Sequence, residues 1–241
     1  MSEWFGTLPK RWENRRIGSL LQQRKEKNDP VKTDFILSLS AKHGVVPYYE
    51  RESSGNKSKS DLNTYDVAKQ DDLIVNCMNV IIGSSGVTKW DGAISPVYYA
   101  LFPINSDVNI HYCAYIFRSP LFYRNIRQFA KGILEIRLRI SMDSLKAIPL
   151  PLPPRTEQDQ IVRFLDWKVS QINRLVNAKK KQIGLLQEQK RAVVNEAVTK
   201  GGEGWREIRL GNLGTFRKGF GGSRVDDTEN GFACIRYGDI Y

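Results

Sequence analysis

Between Arg155 and Lys200 apolar residues recur every three or four positions with no proline among them. That is the period of a helix carrying one continuous apolar stripe. With a and d positions taken from Val162 and Leu165, the stripe is Val162, Leu165, Val169, Ile172, Val176, Lys179, Ile183, Leu186, Lys190, Val193 and Ala197. Nine of these eleven are apolar, a repeat sustained long enough to read as a coiled-coil seam rather than the face of a short core helix. At 1.5 Å per residue such a helix spans about 69 Å. Pro153 and Pro154 block an earlier start, Thr156 is the expected N-cap, and Glu157 and Asp159 put negative charge where the helix dipole favours it. Lys200 followed by Gly201 and Gly202 is the expected stop. Gly184 weakens the interior by about 1 kcal/mol relative to alanine. Two readings follow, a seam awaiting a partner helix and a long helix folded back on its own domain.

Upstream the period changes to that of short strands. Phe35–Leu39 and Val45–Tyr49 flank a Lys42-His43-Gly44 turn, and Asp72–Asn76, Val80–Ile82, Gly86–Thr88 and Pro96–Phe102 follow, with Gly83, Gly86 and Gly92 as punctuation. Residues 111–130 supply aromatic-rich helical pieces broken at Ser119-Pro120, with Arg118, Arg124 and Arg127 assigned to an exposed face. Ile133–Ile140 alternates again, placing Glu135, Arg137 and Arg139 on one side of a strand. The stretch from Gln22 to Asp29 reads as solvated, and Ile148–Pro154 as a stiff extended link into the helix. The predicted fold class is α+β, a sheet-rich domain over residues 1–154 followed by a long coiled-coil-like helix over 155–200.

Beyond the helix the pattern begins again. Trp205–Leu213 (WREIRLGNL) repeats Trp12–Leu20 (WENRRIGSL) with Trp, Arg, an aliphatic residue, Gly and Leu in register, 193 positions later. Unless the match is chance, residues 201–241 open a second copy of the domain. At 41 residues that copy is too short to bury a core alone.

Charge narrows the partners. The net charge is +11; residues 1–154 carry 21 Lys and Arg against 15 acids, and residues 155–200 carry 10 against 5. A strongly basic chain fits a polyanion, with nucleic acid ahead of a membrane surface or an acidic protein. The polar run Glu50–Thr64 places Arg51, Lys57 and Lys59 among serines and asparagine, a composition suited equally to phosphate contact and to plain solvation. Three widely spaced cysteines and two histidines support neither a disulfide framework nor a zinc site. No apolar run has the length of a signal peptide or membrane span, so a cytoplasmic protein without membrane contact is expected.

Catalytic patterns are missing. Gly83–Lys89 has the wrong spacing for a phosphate-binding loop and reads as a glycine turn, and no zincin, nucleophile-elbow or dinucleotide motif occurs. Asp71 and Asp72, without a nearby lysine motif, read as solvated strand-edge carboxylates. The chain is expected to be non-catalytic and to hold neither cofactor nor metal.

Several stretches together resemble one family. Trp12-Glu-Asn-Arg-Arg-Ile-Gly18, Asp72–Asn79, Gly86–Tyr98 (GVTKWDGAISPVY), Ile148–Pro154, Glu157-Gln158 and Ala197–Gly201, in this order, are similar to the specificity subunit of type I restriction-modification systems, and Ile235–Tyr241 resembles the early part of its target-recognition domain. The resemblance covers nearly the whole chain. It implies two target-recognition domains, each followed by a long helix, the two helices packing antiparallel as a spacer, with each domain reading half of a split site in double-stranded DNA. It further implies methyltransferase subunits docked along the helices and a restriction subunit that joins for cleavage. The sequence departs from that pattern in its truncated second recognition domain and missing second helix. A half-sized subunit acting as an antiparallel homodimer is therefore expected, on the seam Val162, Leu165, Val169, Ile172, Val176, Ile183, Leu186 and Val193. The alternative is an adaptor or fragment that binds protein partners without DNA specificity. The residues chosen for phosphate or base-edge contact are Arg51, Lys57, Lys59, Asn76, Lys89, Lys131, Arg137 and Arg139.

Overall fold

The computed structural model describes residues 2–40, 42–51, 61–78, 82, 84–130, 138–202 and 204–215. Two compact units divide the chain, Met1–Asn177 and Ala178–Tyr241. In the first, β1 (Glu13–Arg16) runs straight into a single helical turn, α1 (Ile17–Leu20), and then β2 (Leu21–Gln23). The hairpin β3 (Leu37–Ser40) and β4 (Gly44–Pro47) follows, then β5 (Asp66–Ala68), β6 (Leu73–Asn76), β7 (Ser85–Val87), β8 (Gly92–Ile94) and β9 (Tyr98–Pro103). Helices α2 (Ile110–Arg118), α3 (Pro120–Asn125) and α4 (Met142–Ala147), strand β10 (Pro149–Leu152) and the first part of the long helix α5 (Arg155–Thr199) complete its α+β fold; α5 ends among the residues of the second unit.

The central sheet has the order β2-β9-β6-β7 with every neighbour antiparallel. Its two middle strands are buried on both faces. Leu73, Val75, Tyr99 and Leu101 point to a core shared with Cys113, Phe117 and Phe122 of α2 and α3. Ile74 and Ala100, paired in register, point the other way, to Leu37, Val45, Ala68 and Ile94 of the two-stranded ribbons β3-β4 and β5-β8. A strand covered on both sides needs no polar alternation, which is why Leu-Ile-Val is unbroken in β6.

The predicted helix break is present. Ser119 ends α2, its hydroxyl accepts the Phe122 N–H as the cap of α3, and Pro120 takes the first helical position, where its missing N–H costs nothing. Arg118, Arg124 and Arg127 are exposed.

Four expectations need correcting. Residues 149–152 are not a bare link: as β10 they pair antiparallel with β1, and Leu150 and Leu152 are buried. Proline is tolerated there because β10 has a single neighbour and lends an edge that needs few N–H donors. The stretch from Gln22 to Asp29 is not simply solvated, since Asn28 is fully buried and its carboxamide bonds the backbone of Lys32, Thr33 and Leu62. Asp72 is not strand-edge solvated; it is buried against Arg24. Finally, the helix cap is Pro154 rather than Thr156: the Pro154 carbonyl accepts from Glu157 and Gln158, so Thr156 already lies within the first turn. The predicted strand at Val80–Ile82 falls outside the described residues except for Ile82. That at Ile133–Ile140 does so except for Leu138, Arg139 and Ile140.

In the second unit α5 ends before Gly201, which adopts φ +64°, a conformation glycine reaches without strain. The repeated segment then forms one turn at Leu210–Asn212, at the positions equivalent to α1. The environments differ. Ile17 and Leu20 are 1% and 0% exposed, whereas Leu210 and Leu213 are 69% and 68% exposed.

Candidate nucleic-acid interface

The hairpin β3-β4 forms one wall of an open cleft of ≈ 820 Å³ in the first unit. Its tip contributes Lys42 and His43, the 3-10 turn after β4 leads to Arg51, the segment after β7 contributes Lys89 and Trp90, β9 contributes Tyr98, and the end of α2 contributes Arg118. Four Lys and Arg side chains thus line the cleft against one carboxylate, Glu50. Ser38 and Ser40 add hydroxyls, and Trp90 and Tyr98 add flat surface. Cations with hydroxyls suit phosphate oxygens, and aromatic faces suit sugars or bases.

Local chemistry sets each wall. Gly86 lies against the hairpin so closely that a Cβ would sit 3.0 Å from Gly44 Cα and 3.1 Å from the Val45 nitrogen. Thr88, fully buried, donates its hydroxyl to the Trp90 carbonyl at 2.8 Å and accepts the Trp90 N–H at 3.1 Å, turning Lys89 outward. That turn rests on Asp72, whose carbonyl accepts the Thr88 N–H and whose carboxylate accepts from Arg24 and from the Lys69 backbone. The Arg24 guanidinium also lies over the Phe102 ring at 4.8 Å. Asp91, nearby, is held below its ordinary carboxylate value, chiefly by the Gln70 N–H. Burial pushes the Tyr98 hydroxyl above its ordinary value, against a backbone hydrogen bond at Leu39 that lowers it. Arg51 stacks over Tyr48 at 5.7 Å.

Of the residues chosen from the sequence, the fold brings Arg51 and Lys89 together in this cleft. Asn76 and Arg139 lie elsewhere, beside the Met78–Arg139 bridge at the far end of β6, where the Asn76 carboxamide oxygen accepts the Met78 N–H. Lys57, Lys59, Lys131 and Arg137 lie outside the described residues. Lys42, Trp90, Tyr98 and Arg118 were not chosen. The cationic hairpin tip was visible as a turn, but nothing in the spacing linked it to Lys89, 47 positions away.

Along α5 the seam changes character. Val162 is buried in the core of the first unit and Leu165 is half-buried. Val169, Ile172, Val176, Ile183, Leu186 and Val193 are each between 43% and 59% exposed. Among the described residues no three His, Cys, Asp or Glu side chains gather as metal ligands, and no helix is long and apolar enough to cross a membrane.

A family model described as the type I restriction modification DNA specificity domain matches residues 9–185. The chain is 23% identical, over 257 aligned positions, to the type I restriction enzyme MjaVIII specificity subunit of Methanocaldococcus jannaschii, covering 97% of this chain and 56% of that protein. A chain from a solved structure of the type I R-M system superposes with a TM-score of 0.55 at 19% identity, covering 79% of this chain and 46% of its own length. The crystal structure of the HsdS subunit from Thermoanaerobacter tengcongensis gives a TM-score of 0.49 at 18% identity, with 79% and 45% covered. The chain spans about half the length of these relatives.

Proposed function

The chain belongs to the type I restriction modification DNA specificity domain family, and from that premise we propose that it is the non-catalytic DNA-reading subunit of a restriction-modification complex. The observation that carries this reading is the cleft, in which Lys42, Arg51, Lys89 and Arg118 converge with Trp90 and Tyr98. A cationic cleft with aromatic faces favours a polyanion carrying bases over an acidic protein segment.

The finer reading is that one cleft takes one half of a bipartite site in double-stranded DNA. A second copy, joined antiparallel along the exposed part of α5, supplies the other half, and the exposed apolar positions Val169 to Val193 support such a pairing. Domain 1–154 is then the reader, 155–200 the spacer and dimer helix, and 201–241 the opening of a second reader. Methyltransferase and restriction subunits join this platform and carry the chemistry.

Co-expression with a methyltransferase subunit, co-purification and mapping of methylated bases on DNA test the reading. The expected result is a stable complex that methylates one palindromic site split by a fixed spacer. Methylation without sequence preference, or no complex, would refute it.

A further inference from the structure

The base of α5 is tied down by more directed bonds than a helix end needs. Gln158 is fully buried, its amide donates to the carbonyls of Asp107 and Pro153 at 2.9 Å each, and its oxygen accepts the Asn109 N–H at 2.8 Å. Both amide hydrogens are thereby used. Asn109 is itself committed twice, capping α2 with its oxygen and donating to Asp159 at 2.6 Å. One turn up, Val162 enters the core; one turn beyond, the Tyr115 hydroxyl of α2 donates to Asp166. So α5 is tied to the cap of α2 at Gln158 and Asp159 and to α2 itself at Asp166, with Val162 buried in the core between them.

A buried leucine at position 158 would hide as much apolar surface, but burial is non-directional, whereas three hydrogen bonds fix an orientation. Direction matters for a lever of this length. Over the roughly 34 Å of α5 that lies in the first unit, Arg155–Asn177, a tilt of about 5° at the base moves the end of that stretch by roughly 3 Å, near one base-pair step.

We propose that Gln158, backed by Asn109 and Tyr115, is a positioning residue that fixes the direction of α5 against the DNA cleft and so determines which spacing between half-sites is accepted. This rests on the bipartite reading above. The clamp acts without touching DNA.

The complex with its methyltransferase subunit is assayed on the mapped site and on sites whose spacer is one base pair longer or shorter. Gln158→Ala is expected to lose about tenfold of the preference for the native spacing, and Tyr115→Phe to lose part of it. A uniform loss on all three sites, with the preference intact, overturns the proposal and leaves a merely structural role. Should Gln158→Ala fail to fold, Tyr115→Phe carries the same test, since it removes only a hydroxyl. A second arm needs no DNA: spin labels at Lys25→Cys and Arg174→Cys, in a Cys234→Ser background, should give a distance distribution that broadens in either variant at unchanged helix content. An unchanged width overturns the clamp even where the bipartite reading holds. Finding no split site at all fails that reading instead, while the label distances still report on the clamp.

Discussion

Arg24 and Asp72 meet through two parallel hydrogen bonds, Nε to Oδ2 at 2.7 Å and Nη2 to Oδ1 at 3.0 Å, with the carboxylate buried beneath the turn that presents Lys89. Removing one partner of such a pair strands a charge. Asp72→Ala should therefore destabilise the protein by roughly 3 kcal/mol in urea denaturation. Asp72→Asn, which keeps an acceptor for the Lys69 N–H, should cost less. An Asp72→Ala loss below about 1 kcal/mol would mean that water replaces the carboxylate.

Lys89 and Arg51 line the cleft, and substitution at the exposed Lys89 should act on binding rather than stability. If both contact phosphates, Lys89→Ala and Arg51→Ala should each weaken binding to specific and random DNA alike, and flatten the slope of log K against log salt by about 0.9. Trp90→Ala should instead change the preference among sequences. Arg124→Ala, on an exposed face of α3 and not among the cleft-lining residues, should leave the slope unchanged. Fluorescence anisotropy at several salt concentrations distinguishes these outcomes.

What could be read in advance divides along physical lines. The helix 155–199, the break at Ser119-Pro120 and the strands around Leu73 and Tyr99 are encoded locally, by period and by proline. The cleft is not local. Lys42, Lys89 and Arg118 come together only because β7 packs under the β3-β4 hairpin, which requires a glycine at 86 and leaves no periodic trace. The same holds for Asp72 and Arg24, 48 positions apart, whose pairing turned an apparently solvated acid into a buried one. The proline-rich stretch misled because its composition reports conformation, which is extended either way, and says nothing about whether β1 lies alongside.

The exposed seam leads to a prediction about assembly. Ile172 and Ile183 are 58% and 56% exposed at d and a positions, so Ile172→Glu and Ile183→Glu should change monomer stability by no more than about 0.5 kcal/mol. In sedimentation at micromolar concentration both should convert a dimer to a monomer. Trp167→Ala, at the f position opposite the seam, should leave the dimer intact. A wild-type protein that sediments as a monomer throughout would rule out the homodimer.

Burial pushes the Cys113 thiol from 9.0 up to about 12, and Cys77 is equally hidden. In a Cys234→Ser background a thiol reagent at pH 8 should label nothing in the native protein and two thiols in denaturant. The unfolded Cys113 thiol ionises near 9 while the folded one holds its proton to about 12. Its contribution to stability is thus complete below pH 9 and declines, by about 1.4 kcal/mol per pH unit, as pH rises toward 12. Cys113→Ala should remove that part of the alkaline decline.

The repeat can be tested through its two glycines. In the first copy Gly18 packs against α4, and an added Cβ would lie 3.0 Å from Lys146 Cβ and 3.3 Å from its carbonyl oxygen. In the second copy the equivalent Gly211 has nothing within 4 Å of that position. Gly18→Ala should accordingly destabilise by roughly 1–3 kcal/mol, the usual cost of overpacking. Gly211→Ala should stay within about 0.5 kcal/mol of wild type, as exposed substitutions do. Equal effects at the two sites would show that the second turn has a packed partner in solution. The difference between the two glycines therefore reports whether Leu210 and Leu213 are covered as Ile17 and Leu20 are, and urea denaturation of the two single variants reads it directly.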